Sequence, residues 1–126
     1  VLVYAYDADE PLKRERAQAV LLANPTPVIS TQVLLEWFTV TTRRLARPLA
    51  AQDALVELEK LARLAVVPAD AELVTRAART CVEEQLSLWD AMIIEAAALA
   101  GCDRVLSEDM GVGRVIRGVR IENPFA

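Results

Sequence analysis

The chain has 126 residues, of which 54% are hydrophobic, and a formal net charge of −4 at pH 7; it fits one domain over residues 1–126 with an ample core. It contains no histidine, which excludes Ser-His-Asp and Cys-His nucleophiles and zinc sites built on imidazole. The charge argues against indiscriminate coating of nucleic acid, and without a signal-peptide pattern or a membrane-length apolar run we expect a cytoplasmic protein.

Short apolar runs alternate with segments of helical periodicity along the whole chain. Strands are predicted over Val1–Tyr6, Val28–Ser30, Ala65–Val67, Asp103–Leu106 and Val119–Ile121. Helices are predicted over Leu12–Ala23, Thr31–Ala46, Leu49–Leu64, Asp70–Glu84, Ser87–Gly101 and, as a short glycine-punctuated element, Met110–Ile116. Because no Asn-Gly type of turn separates neighbouring strands, this alternation predicts an α/β domain with a parallel sheet.

The segment Ser87–Gly101 is the most apolar of the predicted helices. Its only charged residues are Asp90 and Glu95, and a helix so apolar around its circumference must be buried. Ser87 is suited to cap the helix, with Asp90 as its capping-box partner three residues later. Asp90 therefore either caps its own helix or has a function, and this segment alone leaves both interpretations open.

Two further acids follow predicted strands. Glu36 lies in the helix after Val28–Ser30, among apolar residues where an unpaired carboxylate would be costly, although a solvated helix face remains the alternative. Asp109 follows the strand Asp103–Leu106. Parallel sheets bind ligands beyond the carboxyl ends of their strands, so we expect both acids at one edge of the sheet, joined there by Asp90.

Converging carboxylates repel one another and need a compensating cation. Mg²⁺ or Mn²⁺ suits such an oxygen-only site, and either ion can activate water for attack on a phosphate. The pattern thus predicts a metal-dependent phosphodiesterase. Arginines could bind the substrate phosphates, with ordinary solvation as the alternative. The candidates are Arg43, Arg44, Arg47, Arg114, Arg117 and Arg120.

Five stretches, VLVYAYD, STQVLLEWF, LSLWDAMIIEAA, VLSEDM and NPF, resemble in this order the PIN domain, most closely the VapC-type toxins of type II toxin-antitoxin pairs. The resemblance implies a three-layer fold, with a central parallel β-sheet flanked by helices, and Mg²⁺- or Mn²⁺-dependent cleavage of RNA. It also implies a homodimer and a cognate antitoxin. Glu36, Asp90 and Asp109 match three of the family's four acidic positions, Glu108 is a second choice, and Ser107 matches a hydroxyl residue near the fourth.

The resemblance departs from the family at its first motif. The family's first acid lies in an Asp-Thr-Asn-like run directly before the residues that resemble Val1–Val3, so we expect the first strand and its acid upstream of residue 1. The resemblance also makes Val1–Tyr6 a turn or helix. An impaired PIN-like module that binds RNA or a protein partner is the main alternative. A phospho-acceptor domain would need a lysine near the end of the fold, and the only lysines are Lys13 and Lys60.

Overall fold

The structure is a computed structural model that describes residues 1–126. Five α-helices follow a short 3₁₀ helix at Tyr4–Tyr6: α1 (Pro11–Ala23), α2 (Thr31–Arg43), α3 (Ala51–Leu61), α4 (Ala71–Glu84) and α5 (Leu88–Leu99). The five strands are β1 (Val28–Ser30), β2 (Ala65–Val67), β3 (Arg104–Leu106), β4 (Val115–Ile116) and β5 (Val119–Glu122). None of the helices combines the length and the hydropathy of a membrane span.

The strands form two small sheets. In the first, β1 and β2 are parallel, with Ile29 opposite Val66. In the second, β3 and β5 are parallel, with Val105 opposite Ile121, and β4 lies antiparallel on the other side of β5. The predicted α/β class with parallel pairing is confirmed. Strands β1 and β3 each lie at the end of their sheet, so each has one edge without a strand partner.

Helix α5 packs against α4 and against both sheets. Ile94 and Ala97 share a core cluster with Ile121 of β5, and Ala96 packs with Leu73 of α4 in another. The prediction that this helix is buried is therefore confirmed for its middle, whereas Leu88, Trp89 and Leu99 at its ends are exposed. Its run of alanines explains the packing, because small side chains allow the backbones of neighbouring elements to approach closely.

The segment between β3 and β5 differs from its prediction. Instead of a helix over Met110–Ile116, it forms a loop whose Met110 is buried, followed by β4. The chain then reverses through a two-residue turn at Arg117 and Gly118, whose φ angles are 55° and 75°. Two positive φ angles in a two-residue hairpin define a type I′ turn. The turn was missed because arginine stands where asparagine, aspartate or glycine is usual.

The prediction for the start of the chain also changes. Tyr4–Tyr6 is helical, so the strand prediction for Val1–Tyr6 is wrong and the turn or helix implied by the resemblance is confirmed. The ring of Tyr6 packs edge-on against Trp37 of α2, and Gln18 of α1 donates a hydrogen bond to the Ala5 carbonyl. These contacts with helices on both sides favour a compact turn here over an extended strand.

Tyr6 provides a testable consequence of this packing. Its hydroxyl donates a hydrogen bond to Glu57 (3.1 Å), and burial together with the Glu57 charge raises the pKa of Tyr6 to about 12. Since the raised pKa belongs to the folded state, this stabilisation is complete below the ordinary tyrosine pKa and is lost as the pH rises through 12. With Tyr4→Phe, which leaves one tyrosine, we expect alkaline absorbance titration to show ionisation near pH 12; ionisation near pH 10 would contradict this.

Candidate active site

Asp90 lies in the first turn of α5. The Ser87 hydroxyl accepts a hydrogen bond from the backbone N–H of Asp90 (3.1 Å), so the predicted serine cap is confirmed. The carboxylate of Asp90, which is half-buried, makes no hydrogen bond or ion pair within the chain. Because Ser87 caps the helix without it, this carboxylate is available for another role.

A buried glutamine joins the start of α5 to the helix that carries Glu36. Gln32 is 2% exposed, and its Nε2 atom donates a hydrogen bond to the carbonyl of Trp89 (3.2 Å). Residues four apart lie on the same face of a helix, so Gln32 and Glu36 share one face of α2. The turn that contains Asp90 is thereby fastened to α2 one helical turn from Glu36.

The third predicted acid lies in a loop at the carboxyl end of β3, residues 107–109, which we call the acid loop. The backbone N–H of Ser107 donates to the Glu122 carbonyl (2.9 Å), which continues the pairing of β3 with β5. The Ser107 hydroxyl accepts from the N–H of Asp109 (3.3 Å) and so shapes the loop. The Asp109 carboxylate is exposed and unpaired within the chain.

Glu36 lies in the second turn of α2, one helical turn beyond the buried Gln32. Glu36 itself is exposed, so of its two interpretations the structure supports the solvated helix face and not a buried, costly charge.

Glu108, the second-choice acid, is already paired. Lys13 Nζ lies 2.6 Å from its Oε1 atom. This contact is the main reason that the pKa of the Glu108 carboxyl is lowered, with a hydrogen bond to Tyr4 as the next cause. About a third of the Lys13 side chain is exposed (34%), and its amino group lies against the acid loop.

The six candidate arginines divide into paired and unpaired residues. Arg43 and Arg44, at the end of α2, and Arg120, in β5, are exposed and have no acidic partner. The other three pair with acids of the chain: Arg47 with Asp9 (3.1 Å), Arg114 with Glu84 (3.2 Å) and Arg117 with Glu95 (3.1 Å). Arg43 and Arg44 are therefore freer than Arg114 to bind a phosphate.

The donor chemistry of the unpaired acids suits a hard divalent cation. Glu36, Asp90 and Asp109 offer only carboxylate oxygens, and Mg²⁺ is often held by one or two carboxylates with water in its remaining positions. No three acidic or thiol side chains lie close enough to hold a metal ion by themselves. The three acids are thus not gathered into one cluster of ligands, and the expectation that they meet at one edge of a single sheet is wrong, because β1 and β3 belong to separate sheets.

One buried charge in α5 was noticed in the sequence but given no role. Glu95 is 3% exposed, accepts a hydrogen bond from Thr80 of α4, and pairs with Arg117 in the β4–β5 turn. The sequence feature that could have indicated a buried charge is a single acid in the middle of an otherwise apolar helix. Its partners come from two separate elements, which periodicity along one segment does not reveal.

Comparison with known families gives one match. The chain matches the model of the PIN domain over residues 1–117. Comparison with curated proteins gives no significant match. The matched range contains both helices and the loop that carry Glu36, Asp90 and Asp109, together with Ser107 and the candidate arginines up to Arg117.

Proposed function

The chain belongs to the PIN domain family, and on that premise we propose that it is an Mg²⁺- or Mn²⁺-dependent endoribonuclease. PIN domains are in general nucleases. The observation that carries the proposal is that the family match spans three acids, Glu36, Asp90 and Asp109, whose carboxylates have no partner within the chain. Unpaired carboxylates are free to offer their oxygens to a hard divalent cation.

Each residue of the candidate site has a distinct part in this proposal. Glu36 and Asp109 would contribute carboxylate oxygens to the cation. Asp90 would complete the site from the first turn of α5. When bound, the metal supplies water activation and offsets charge on the phosphate. Arg43 and Arg44 would bind phosphates of the RNA on either side of the cleaved bond.

The biological role that we propose is that of a VapC-type toxin. The order of the motifs supports it, and the unpaired carboxylates would suit a basic side chain from a cognate antitoxin. Pairing with a second copy of the chain and a cytoplasmic location belong to the same proposal. Induced expression in a bacterial host tests it: growth arrest by the wild type but not by Asp90→Asn is expected, and unimpaired growth would contradict it.

Cleavage of a mixed cellular RNA pool by the purified protein tests the enzymatic proposal. With Mg²⁺ or Mn²⁺ we expect discrete products, and a chelator should abolish them because the acids alone cannot activate water. Restoring the metal should restore cleavage, which separates metal removal from unfolding. A folded, metal-replete protein that binds RNA without cutting it would instead support the alternative of an impaired PIN-like binding module.

A further inference from the structure

Trp89 stands directly before Asp90, in the first turn of α5, and is 50% exposed. The other tryptophan, Trp37, is 1% exposed. Burying so large an apolar ring is favourable, and an exposed ring forgoes much of that gain. Packing in the core therefore does not account for the presence of a tryptophan beside Asp90.

The backbone that carries the Trp89 ring is held on both sides. The Ser87 hydroxyl caps the helix, and the carbonyl of Trp89 accepts a hydrogen bond from the buried Gln32 of α2 (3.2 Å). A tryptophan side chain has only two rotatable bonds, so little conformational freedom is lost when a ligand lies on its ring. Trp89 thus provides a pre-organised contact surface at the junction of α2 and α5.

The faces of the Trp89 ring have no aromatic or cationic partner within the chain. Tyr4 packs edge-on with Phe125, and Tyr6 packs edge-on with Trp37. Trp89 belongs to neither pair, and no lysine or arginine lies over its ring. A planar group from outside the chain can therefore stack on it.

The exposed apolar surface at this end of α5 is small. It consists of Leu88 and Trp89, since Met92, one turn later, is buried and Ile93 is half-buried. A stable protein interface buries about 800 Å² on each partner, whereas a nucleobase covers a single ring. The size of the surface therefore favours a nucleobase over a protein partner.

We propose that Trp89 binds the RNA substrate by stacking on an unpaired base next to the phosphodiester bond that is cleaved. This inference rests on the proposed nuclease function, in which Asp90 belongs to the active site. Proteins that bind single-stranded RNA stack its splayed bases on aromatic side chains. The bases of a duplex stack on one another and leave no face free within the helix. The substrate class is thus single-stranded RNA.

Tryptophan fluorescence reports on this contact, because the chain has two tryptophans and Trp37 is buried. Single-stranded oligoadenylate is titrated into the protein in the presence of a chelator, so that no RNA is cut. We expect it to quench the fluorescence of the wild type, and the same strand paired with oligouridylate to quench it much less. Anisotropy of labelled oligoadenylate gives the Kd of each variant, and Trp89→Leu should raise this Kd about tenfold.

Two further variants separate stacking from loss of apolar surface. Trp89→Phe should bind within about threefold of wild type, because phenylalanine keeps an aromatic face. Leu88→Ala is the matched control: it shortens an exposed apolar side chain of the same turn and should leave the Kd within about twofold. Thermal melting of each variant checks that it is folded, and Trp89→Phe keeps the inference testable if Trp89→Leu is not.

Three results would overturn the inference. The first is a wild type whose fluorescence does not respond to oligoadenylate, and the second is an equal Kd in wild type and Trp89→Leu. The third is conversion of a dimer to a monomer in Trp89→Leu at unchanged RNA affinity, seen by sedimentation, which would assign the ring to a contact between copies. Quenching by RNA that the metal-loaded wild type does not cut would refute the proposed function and leave the stacking contact in place.

Discussion

Asp90→Asn should lower the rate of RNA cleavage by roughly a thousandfold at saturating metal, which is the largest effect expected of any substitution in this chain. Asparagine has nearly the same shape as aspartate but carries no charge, so it weakens the hold on a divalent cation and accepts no proton. The helix should be unaffected, because the bond to the Ser87 hydroxyl comes from the backbone N–H of residue 90. Initial rates of cleavage and the thermal melting of each protein provide the measurement.

Asp103→Asn is the matched control for this variant. Asp103 is exposed and stands before β3, at the opposite end of that strand from the acid loop. The Asp103→Asn variant should cleave RNA at the wild-type rate. That result would show that the loss of one surface charge does not by itself lower the cleavage rate. If Asp90→Asn were as active as Asp103→Asn, Asp90 would have only a structural role at the start of α5 and no role in the reaction.

Arg117→Asn should lower the free energy of unfolding by about 3 kcal/mol, the largest expected effect on stability. Glu95 would then remain 3% exposed with Thr80 as its one neutral partner. Asparagine tolerates the left-handed backbone of the turn, where Arg117 has φ 55°, so the loss reports on the charge and not on the turn. Urea denaturation of the variant and the wild type measures the difference.

Two comparisons isolate the effect of the buried charge. Arg114→Ala breaks an exposed pair with Glu84 and should cost about 0.5 kcal/mol or less. Glu95→Gln combined with Arg117→Asn should recover part of the loss, because a neutral amide is less costly to bury unpaired than a carboxylate. Equal losses in Arg114→Ala and Arg117→Asn would show that Glu95 does not need its arginine.

Local patterns were sufficient for most of the helices. The apolar circumference of α5, the cap at Ser87 and the cap at Asp70 all follow from neighbouring residues, and the structure contains each of them. The β4–β5 hairpin could not be predicted in this way. Arg117 of its turn forms an ion pair with Glu95. Glu95 lies in the middle of α5, far from the turn in the sequence.

The candidate site shows the same division between local and distant causes. The predicted strand ends indicated that Glu36 and Asp109 follow strands of the fold. They did not indicate how exposed these two carboxylates are or whether they have partners. Glu36 is exposed although Trp37 beside it is 1% exposed, because adjacent residues of a helix point in different directions. The pair between Lys13 and Glu108 joins distant segments and leaves no periodic signal in either.

Helix α5 links the evolution of the site to that of the core. Asp90 opens a helix whose later residues fill the space between α4 and both sheets. A substitution that shifts or rotates α5 to improve packing also moves the carboxylate of Asp90 at its start. Natural selection therefore acts on each such change through its effect on the core and through its effect on the position of Asp90. The surface arginines Arg43 and Arg44 carry no such constraint. Divergence among descendants of this chain should therefore alter these exposed arginines more readily than the residue that opens α5.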